Sequence, residues 1–554
     1  MHVYEAEQTI VIPTDLNLTE LLFLSADSPA IPESHVIAVD TIQDRSLTIG
    51  QLRDNAGRLA QGLKSKFSPH DQSRWAILLP NSTTYVEAVH AILWQGGVSC
   101  PVNFQLQPAE IAYALSVTKA DYAVVYSKIV PNILKALEIA KNDFPGYKAP
   151  QIVVAIGEAK GFPNLLDFLA PRRLPVPHHA DTRTRLASIN LSSGTTGKPK
   201  GVALSHYNYL SNVLQLRAHD PQHWISDNSV LAPTPMAHIA NTTSPLYLAP
   251  YTGTKHVLMH EFSVNGFFEL ITKHKVTDMM LMPPLVPLLL DPAQAKKFDV
   301  STVRHLHSNG GMKKEAFDAI QRIKDWKFTN LYGMTEAAGY VAWSMVGPAC
   351  PDPPQVGWLL PNMQGRLCDA DGKDVQVGDS GELWLRGPNM TKGYIDNPAA
   401  NAGAFKDGDW YNTGDVCTIS PEGLFTVVGR TKELFKSSGF QVSPTELEQY
   451  LISHPDVAEV SVGPVYDEKK ATDVATAYVV LKPTISDKAA KQKSLKSIHD
   501  YLDGKVSGYK RLRGGVFEVA RLEKNGTGKV MRNLITQHKT GVAYLPSGEP
   551  KAKL

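Results

Sequence analysis

Between Leu191 and Gly201 the chain places four hydroxyl residues, three glycines and two lysines: Ser192, Ser193, Thr195 and Thr196; Gly194, Gly197 and Gly201; Lys198 and Lys200. Glycines let a backbone come close to a phosphate, and hydroxyls and amides supply donors without bulk. The lysines add the charge that a polyphosphate needs neutralised. The spacing excludes the common P-loop, which needs four residues between its glycine and its Gly-Lys and then a Ser or Thr opening a helix. Here only Thr195 and Thr196 separate Gly194 from Gly197, and Pro199 follows the lysine. A polar loop of turn formers is the competing reading; the apolar Leu186-Ala187-Ser188-Ile189 just before it makes that the poorer one.

Further segments with chemical potential follow in order. Tyr332-Gly333-Met334-Thr335-Glu336 offers a carboxylate suited to a hard cation. Ser308-Asn309-Gly310-Gly311 precedes it, and Pro235-Met236-Ala237-His238 lies further upstream. Thr413-Gly414-Asp415, Gly429-Arg430-Thr431-Lys432-Glu433, Lys436 with Ser437-Ser438-Gly439-Phe440-Gln441-Val442 and Glu446, and Asn525-Gly526-Thr527-Gly528-Lys529-Val530-Met531-Arg532 complete the set. Taken singly, each passes for a turn, a helix cap or a structural histidine. In this order, from 191 to 532, they resemble the motifs of the adenylate-forming superfamily, which includes acyl-CoA synthetases, 4-coumarate–CoA ligase-like enzymes, luciferases and peptide-synthetase adenylation domains. The departure is mild: where the family usually has a proline and a serine before the last lysine, this chain has Glu523-Lys524-Asn525 and Thr527.

The resemblance implies an ATP-dependent acid–thiol ligase. A carboxylic acid attacks the ATP α-phosphate, pyrophosphate leaves, and the acyl-adenylate passes its acyl group to coenzyme A. It places Ser192, Ser193, Gly194, Thr195, Thr196, Gly197, Lys198 and Lys200 around the phosphates, Mg2+ on Glu336, and Thr335 at the α-phosphate. Tyr332, Gly310 and Gly311 line the adenine, Asp415 and Arg430 take the ribose, and Lys529 neutralises the reacting oxygens, with Lys529, Glu336 and Thr195 counted as catalytic. His238, Asn309, Gly310 and Leu331 border the acyl pocket. Lys432 is the implied hinge, and Lys436, Ser438, Gly439 and Phe440 the pantetheine side. Relatives acting on aromatic acids often carry glycine where this chain has Leu331, which argues against a broad flat ring there. The acid is otherwise open among fatty, polyketide-derived and aryl-alkanoic classes. Rival readings are a stand-alone enzyme loading a carrier-protein phosphopantetheine and a binding protein that has lost catalysis; the presence of Lys529, Glu336 and the phosphate loop speaks against the second.

The elements that must position these residues are also readable. Leu52, Ala56, Leu59, Ala60 and Leu63 recur at helical spacing. Apolar runs at Trp75-Ala76-Ile77-Leu78-Leu79, Ala123-Val124-Val125-Tyr126 and Ile152-Val153-Val154-Ala155 read as buried strands, with a helix over Tyr85 to Trp94 between the first two. Such alternation predicts α/β sheets. From about Val356 the pattern turns toward β, with strands at Gly381–Gly387 and Leu424–Val428. The expected fold is therefore α/β: a large N-terminal core of α/β sheets with a β-rich subdomain (1–429), a hinge (430–434), and a small mobile α+β domain (435–554). Ser443-Pro444 should open a helix there, and strands are expected at Val457–Val465, Ala475–Leu481 and Val516–Val519.

Composition narrows the rest. The 554 residues carry 56 basic and 54 acidic groups, a net charge of +2 that gives no nucleic-acid footprint. Four cysteines, with no CxxC pair, predict reduced thiols. The acidic, unpatterned first thirty residues argue against a secretory signal, and the Met279–Leu290 stretch is broken by three prolines, so a soluble protein is expected. The terminal Ala552-Lys553-Leu554 is similar to the peroxisomal address of the Ser-Lys-Leu type. It predicts an import receptor as partner and a peroxisomal location, otherwise a cytoplasmic one. Some twenty residues follow Arg532, too few for a carrier domain.

Overall fold

The structure is a computed structural model that describes residues 2–546 apart from 27, 193–198, 281–296, 310–316, 319, 321, 323, 325, 345–354, 432, 438–439, 468–471, 504, 507 and 525–529. Six strands form one sheet in the order Gln151–Ile156, Tyr122–Tyr126, Arg74–Leu78, Val98–Pro101, Leu186–Ser192, Lys200–Ser205. All neighbours run parallel except the last pair, a hairpin in which Ser192 faces Lys200. The central runs are apolar on both faces because helices cover both. One is Ile49–Phe67, started by a reciprocal cap between Thr48 and Gln51, which buries Leu52, Ala56, Leu59, Ala60 and Leu63.

The second sheet has fifteen strands among the described residues. Its parallel part comprises Val36–Asp40, Lys255–Leu258, Ser229–Ala232, Asp278–Met280, His305–Asn309 and Lys327–Met334. At Lys327–Met334 the pairing turns antiparallel, through Gly339–Trp343 and Gln355–Leu359 to Phe425–Arg430, Trp410–Ile419, Gly381–Arg386 and Gln364–Cys368. The β-rich part expected after Val356 thus grows from the edge of the α/β sheet rather than standing apart.

Beyond Glu433 a short hairpin (Phe435–Ser437, Phe440–Val442), the helices Pro444–Leu451 and Lys488–Asp503, and a four-stranded sheet (Val457–Asp467, Thr472–Leu481, Val516–Val519, Lys539–Tyr544) enclose a core of their own around Leu447, Leu451, Val462, Ala477, Leu495 and Ile498. Ser443 caps Pro444–Leu451 by accepting from the Glu446 N–H at 3.3 Å, and its hydroxyl donates to the Val428 carbonyl at 3.0 Å. Arg532 forks onto Glu448, donating to Oε2 at 2.7 Å, and reaches Glu433 at 3.1 Å.

Cys100, Cys368 and Cys417 are buried free thiols, and burial pushes the Cys100 thiol up to about 12. Cys350 lies outside the described residues. No helix among the described residues is long and apolar enough to cross a membrane.

Candidate active site

A cleft of about 440 Å³ opens where the parallel sheet turns antiparallel. The strand Lys327–Met334 delivers Leu331, Gly333 and Met334 to its wall, and the one-turn helix Thr335–Ala337 delivers Thr335 and Glu336. The register of that strand against Gly339–Trp343 shifts between Tyr332 and Gly333. Position 333 must be glycine, since a Cβ there would stand 2.1 Å from the Gly339 carbonyl oxygen. The hairpin Leu186–Ser192 and Lys200–Ser205 brings Ser192 and Lys200 to the same cleft. The Ser192 hydroxyl is buried, with no hydrogen-bond partner among the described residues.

On the opposite wall, Trp410–Ile419 and Phe425–Arg430 pair so that Asp415 faces Arg430. Asp415 Oδ1 is 2.9 Å from the Arg430 Nε, and its Oδ2 accepts from the Tyr332 hydroxyl at 2.6 Å. Burial, with the Asp415 carboxylate second, drives the Tyr332 phenol well above its ordinary value, so it stays a donor. Gly414 sits at a φ of +69°, the left-handed conformation this turn needs. Its N–H donates to Asn412 Oδ1 at 2.8 Å, while Asn412 donates to Glu382 Oε2 at 2.8 Å.

Glu336 is buried and held by tyrosines. Tyr394 donates to Glu336 Oε1 at 3.0 Å, and the Tyr394 and Tyr411 hydroxyls meet at 2.9 Å. Burial first, and the Glu336 charge second, raises both phenols above their ordinary range, so neither competes as an anion. The Lys200 ammonium lies 4.6 Å from the centre of the Tyr394 ring. A carboxylate steadied through one oxygen on a cleft wall is an acceptor-only oxygen donor, the ligand type that Mg2+ combines with substrate phosphates. The residues present therefore fit Mg2+, with Glu336 as the protein group that would hold it.

The other end of the cleft is walled by His238, Ile239, Ala240, Leu331 and Tyr340. Burial lowers the His238 imidazole below its usual range, which keeps it neutral. Leu331 is fully buried, facing Asn309 on one neighbouring strand and Trp343 on the other.

Of the residues singled out in the sequence, the structure thus gathers Ser192, Lys200, His238, Leu331, Thr335, Glu336, Asp415 and Arg430 around one cleft, with Tyr332 hydrogen-bonded into it. Asn309 ends the strand His305–Asn309 beside Leu331. Lys436 and Phe440 sit on the hairpin that follows the junction. Ser193, Gly194, Thr195, Thr196, Gly197, Lys198, Gly310, Gly311, Lys432, Ser438, Gly439, Lys529 and the terminal Ala552-Lys553-Leu554 lie outside the described residues. Sequence reasoning missed Tyr394, Tyr411, Asn412 and Glu382. Tyr411 and Asn412 directly precede Thr413-Gly414-Asp415, a signal by contiguity, whereas Tyr394 belongs to no motif that was read.

Comparison with known proteins agrees with this geometry. The family model described as AMP-binding enzyme matches residues 27–395, and that described as AMP-binding enzyme C-terminal domain matches residues 446–529. The chain is 30% identical over 475 residues to 4-coumarate–CoA ligase CCL1 of Humulus lupulus, covering 83% of each protein. It is 29% identical over 506 residues to 4-coumarate–CoA ligase 2 of Solanum tuberosum, covering 89% of each. Among solved structures it shares the fold of the anthranilate CoA ligase AuaEII in complex with anthranoyl-AMP, with a TM-score of 0.82 and 24% identity over 94% of this chain and 96% of that one.

Proposed function

The chain belongs to the AMP-binding enzyme family of adenylate-forming CoA ligases, and on that premise we propose that it activates an apolar monocarboxylic acid with ATP and transfers the acyl group to coenzyme A. The observation that carries the reading is one cleft with two unlike ends. At one, Lys200, Glu336 and the Tyr332–Asp415–Arg430 triple offer charge and oriented hydrogen bonds; at the other, Ile239, Ala240, Leu331 and Tyr340 offer apolar surface.

A carboxylate is a poor acylating agent because its oxygen leaves badly; joining it to the α-phosphate displaces pyrophosphate from phosphorus and makes AMP the leaving group at the acyl carbon. The obstacle is bringing two anions together, so a catalyst for this step supplies fixed cations and donors. Asp415 accepts from the ribose hydroxyls, Arg430 orients Asp415, and Thr335 donates at the α-phosphate. Lys200 and the hydroxyls and amides of the 192–198 loop take the departing phosphates, and Lys529 bridges the two reacting anions. Mg2+, when bound at Glu336, supplies Lewis-acid charge neutralisation. The thiol then attacks the mixed anhydride and AMP departs.

The acid follows from the apolar end. His238 is held neutral, and among the described residues no lysine or arginine lines that wall, which disfavours a second carboxylate on the substrate. Leu331 fills space that a flat ring would need. A fatty, polyketide-derived or aryl-alkanoic acid with a slender chain next to the carboxylate fits best. With ATP, Mg2+ and a panel of short, medium, long-chain and aryl acids, AMP, pyrophosphate and a CoA thioester should form together for an alkyl or aryl-alkanoic member. Acid-dependent pyrophosphate without thioester would instead make a carrier-protein phosphopantetheine the acceptor.

Leu331→Gly should widen that end, raising kcat/KM for cinnamic-type acids relative to alkyl acids by about tenfold, the scale on which small changes in apolar pockets discriminate. An unchanged ratio across the panel would remove Leu331 as the determinant.

A further inference from the structure

We propose that His223, Asp278 and His305 form a buried binding site for a divalent cation of the zinc class, outside the cleft. The strands Asp278–Met280 and His305–Asn309 are parallel neighbours with Asp278 opposite His305. The two-residue strand period puts His307 on the same face as His305. His223, in the turn between the helix His206–His219 and the strand Ser229–Ala232, closes over that face.

The distances suit a shared ion. Asp278 Oδ1 stands 3.0 Å from His305 Nδ1 and 3.4 Å from His223 Nδ1. One ligand atom from each of the three residues lies within 4.8 Å of the others. Around a tetrahedral Zn2+ with bonds of about 2.0–2.1 Å, donor atoms are roughly 3.3 Å apart. Neither close approach has good hydrogen-bond geometry: among the described residues, both ring nitrogens of His223 and the Nδ1 of His305 are buried with no well-formed hydrogen bond. Nitrogens that crowd a carboxylate oxygen without aiming an N–H at it have the geometry of ligands converging on a common point.

Charge gives the same answer. Asp278 is fully buried, and among the described residues its ion-pair partners are His223, His305 and His307, with no lysine or arginine. A divalent cation held by two imidazoles and that carboxylate would supply the compensating charge. The surroundings steady the carboxylate, as ligands usually require. His307 Nε2 lies 3.3 Å from Asp278 Oδ1, and the Thr277 hydroxyl donates to Oδ2. Trp224 and Trp343 close the site, with ring centres 4.6 Å and 6.0 Å from His223. Such a closed site is structural: it ties the turn carrying His223 to two strands, one of which ends at Asn309 beside the acyl wall.

The test is metal binding by the full chain after dialysis against a chelator. With Zn2+ added back, about one equivalent should be retained, and Co2+ in its place should give visible ligand-field bands. Bound Zn2+ should raise the unfolding midpoint by about 5 °C, reversed by chelator. His223→Asn and His305→Asn should each abolish retention, while Glu336→Gln should leave it unchanged. If a histidine variant fails to fold, the wild-type stoichiometry, Co2+ spectrum and midpoint decide alone. Only trace Zn2+ with no shift in midpoint, or full retention in both folded histidine variants, overturns the site.

Discussion

Lys529→Ala should lower acid-dependent ATP–pyrophosphate exchange by about 10²–10³-fold while a supplied acyl-adenylate is still converted to thioester at close to the normal rate. The argument rests on when the charge is needed. In the first half-reaction a carboxylate meets a phosphate, and a fixed cation between them is strengthened by a site that holds little water. In the second, a thiol meets an anhydride already neutral at its carbonyl, and that cation has nothing to offset. Lys529 lies outside the described residues, but the chain on either side of it is anchored. Lys524 and Val530 bridge as an antiparallel pair, the Met531 N–H donates to the Glu523 carbonyl at 2.8 Å, and Arg532 forks onto Glu448. A truncated side chain there should leave the fold unchanged. Comparable loss of both half-reactions would refute this division of labour.

Asp415→Ala should reduce kcat/KM for ATP by about a hundredfold with little change in KM for the acid. Hydrogen bonds to a charged group contribute about 1.5–3 kcal/mol each, and on the proposed function Asp415 would accept from the ribose. The same carboxylate also anchors Tyr332 and Arg430, so its removal frees two further groups at the nucleotide end. Asp415→Asn, which keeps one acceptor oxygen, should fall between. Nucleotide binding by calorimetry separates this effect from a loss of chemistry. An alanine variant that binds ATP within threefold of wild type would show that the ribose is held elsewhere.

The local level of this structure was legible in the sequence, because a strand buried on both faces and a helix with one apolar stripe each leave a periodic trace. The run from Trp75 appears as Arg74–Leu78, the Tyr85–Trp94 helix as Thr83–Trp94, and Val516–Val519 unchanged. Ser443-Pro444 opens its helix as expected. The cleft was legible only as far as motifs reach. Tyr394 steadies Glu336 across 58 positions, and Arg532 meets Glu448 across 84. Periodicity says which face a residue occupies and nothing about which distant face meets it. The pair His305 and His307 carried a weak signal, two imidazoles on one strand face, but Asp278 and His223 join them only through sheet order and a loop. The β-rich part expected after Val356 is present, but strand composition did not reveal that it continues the α/β sheet past its parallel edge.

The Ser443 hydroxyl bonds in two directions, to the helix that it starts and to Val428 on the far side of the junction. A swivel at Lys432 would keep the first bond and break the second. Arg532, Glu433 and Glu448 all lie beyond the pivot and would travel together, so that ionic cluster does not resist the motion. One hydrogen bond is worth about 1 kcal/mol, a bias of roughly fivefold between orientations. If Lys432 is the hinge that the proposed function needs, this bond alone would leave the choice of orientation to the occupants of the cleft, with no spring required in the joint.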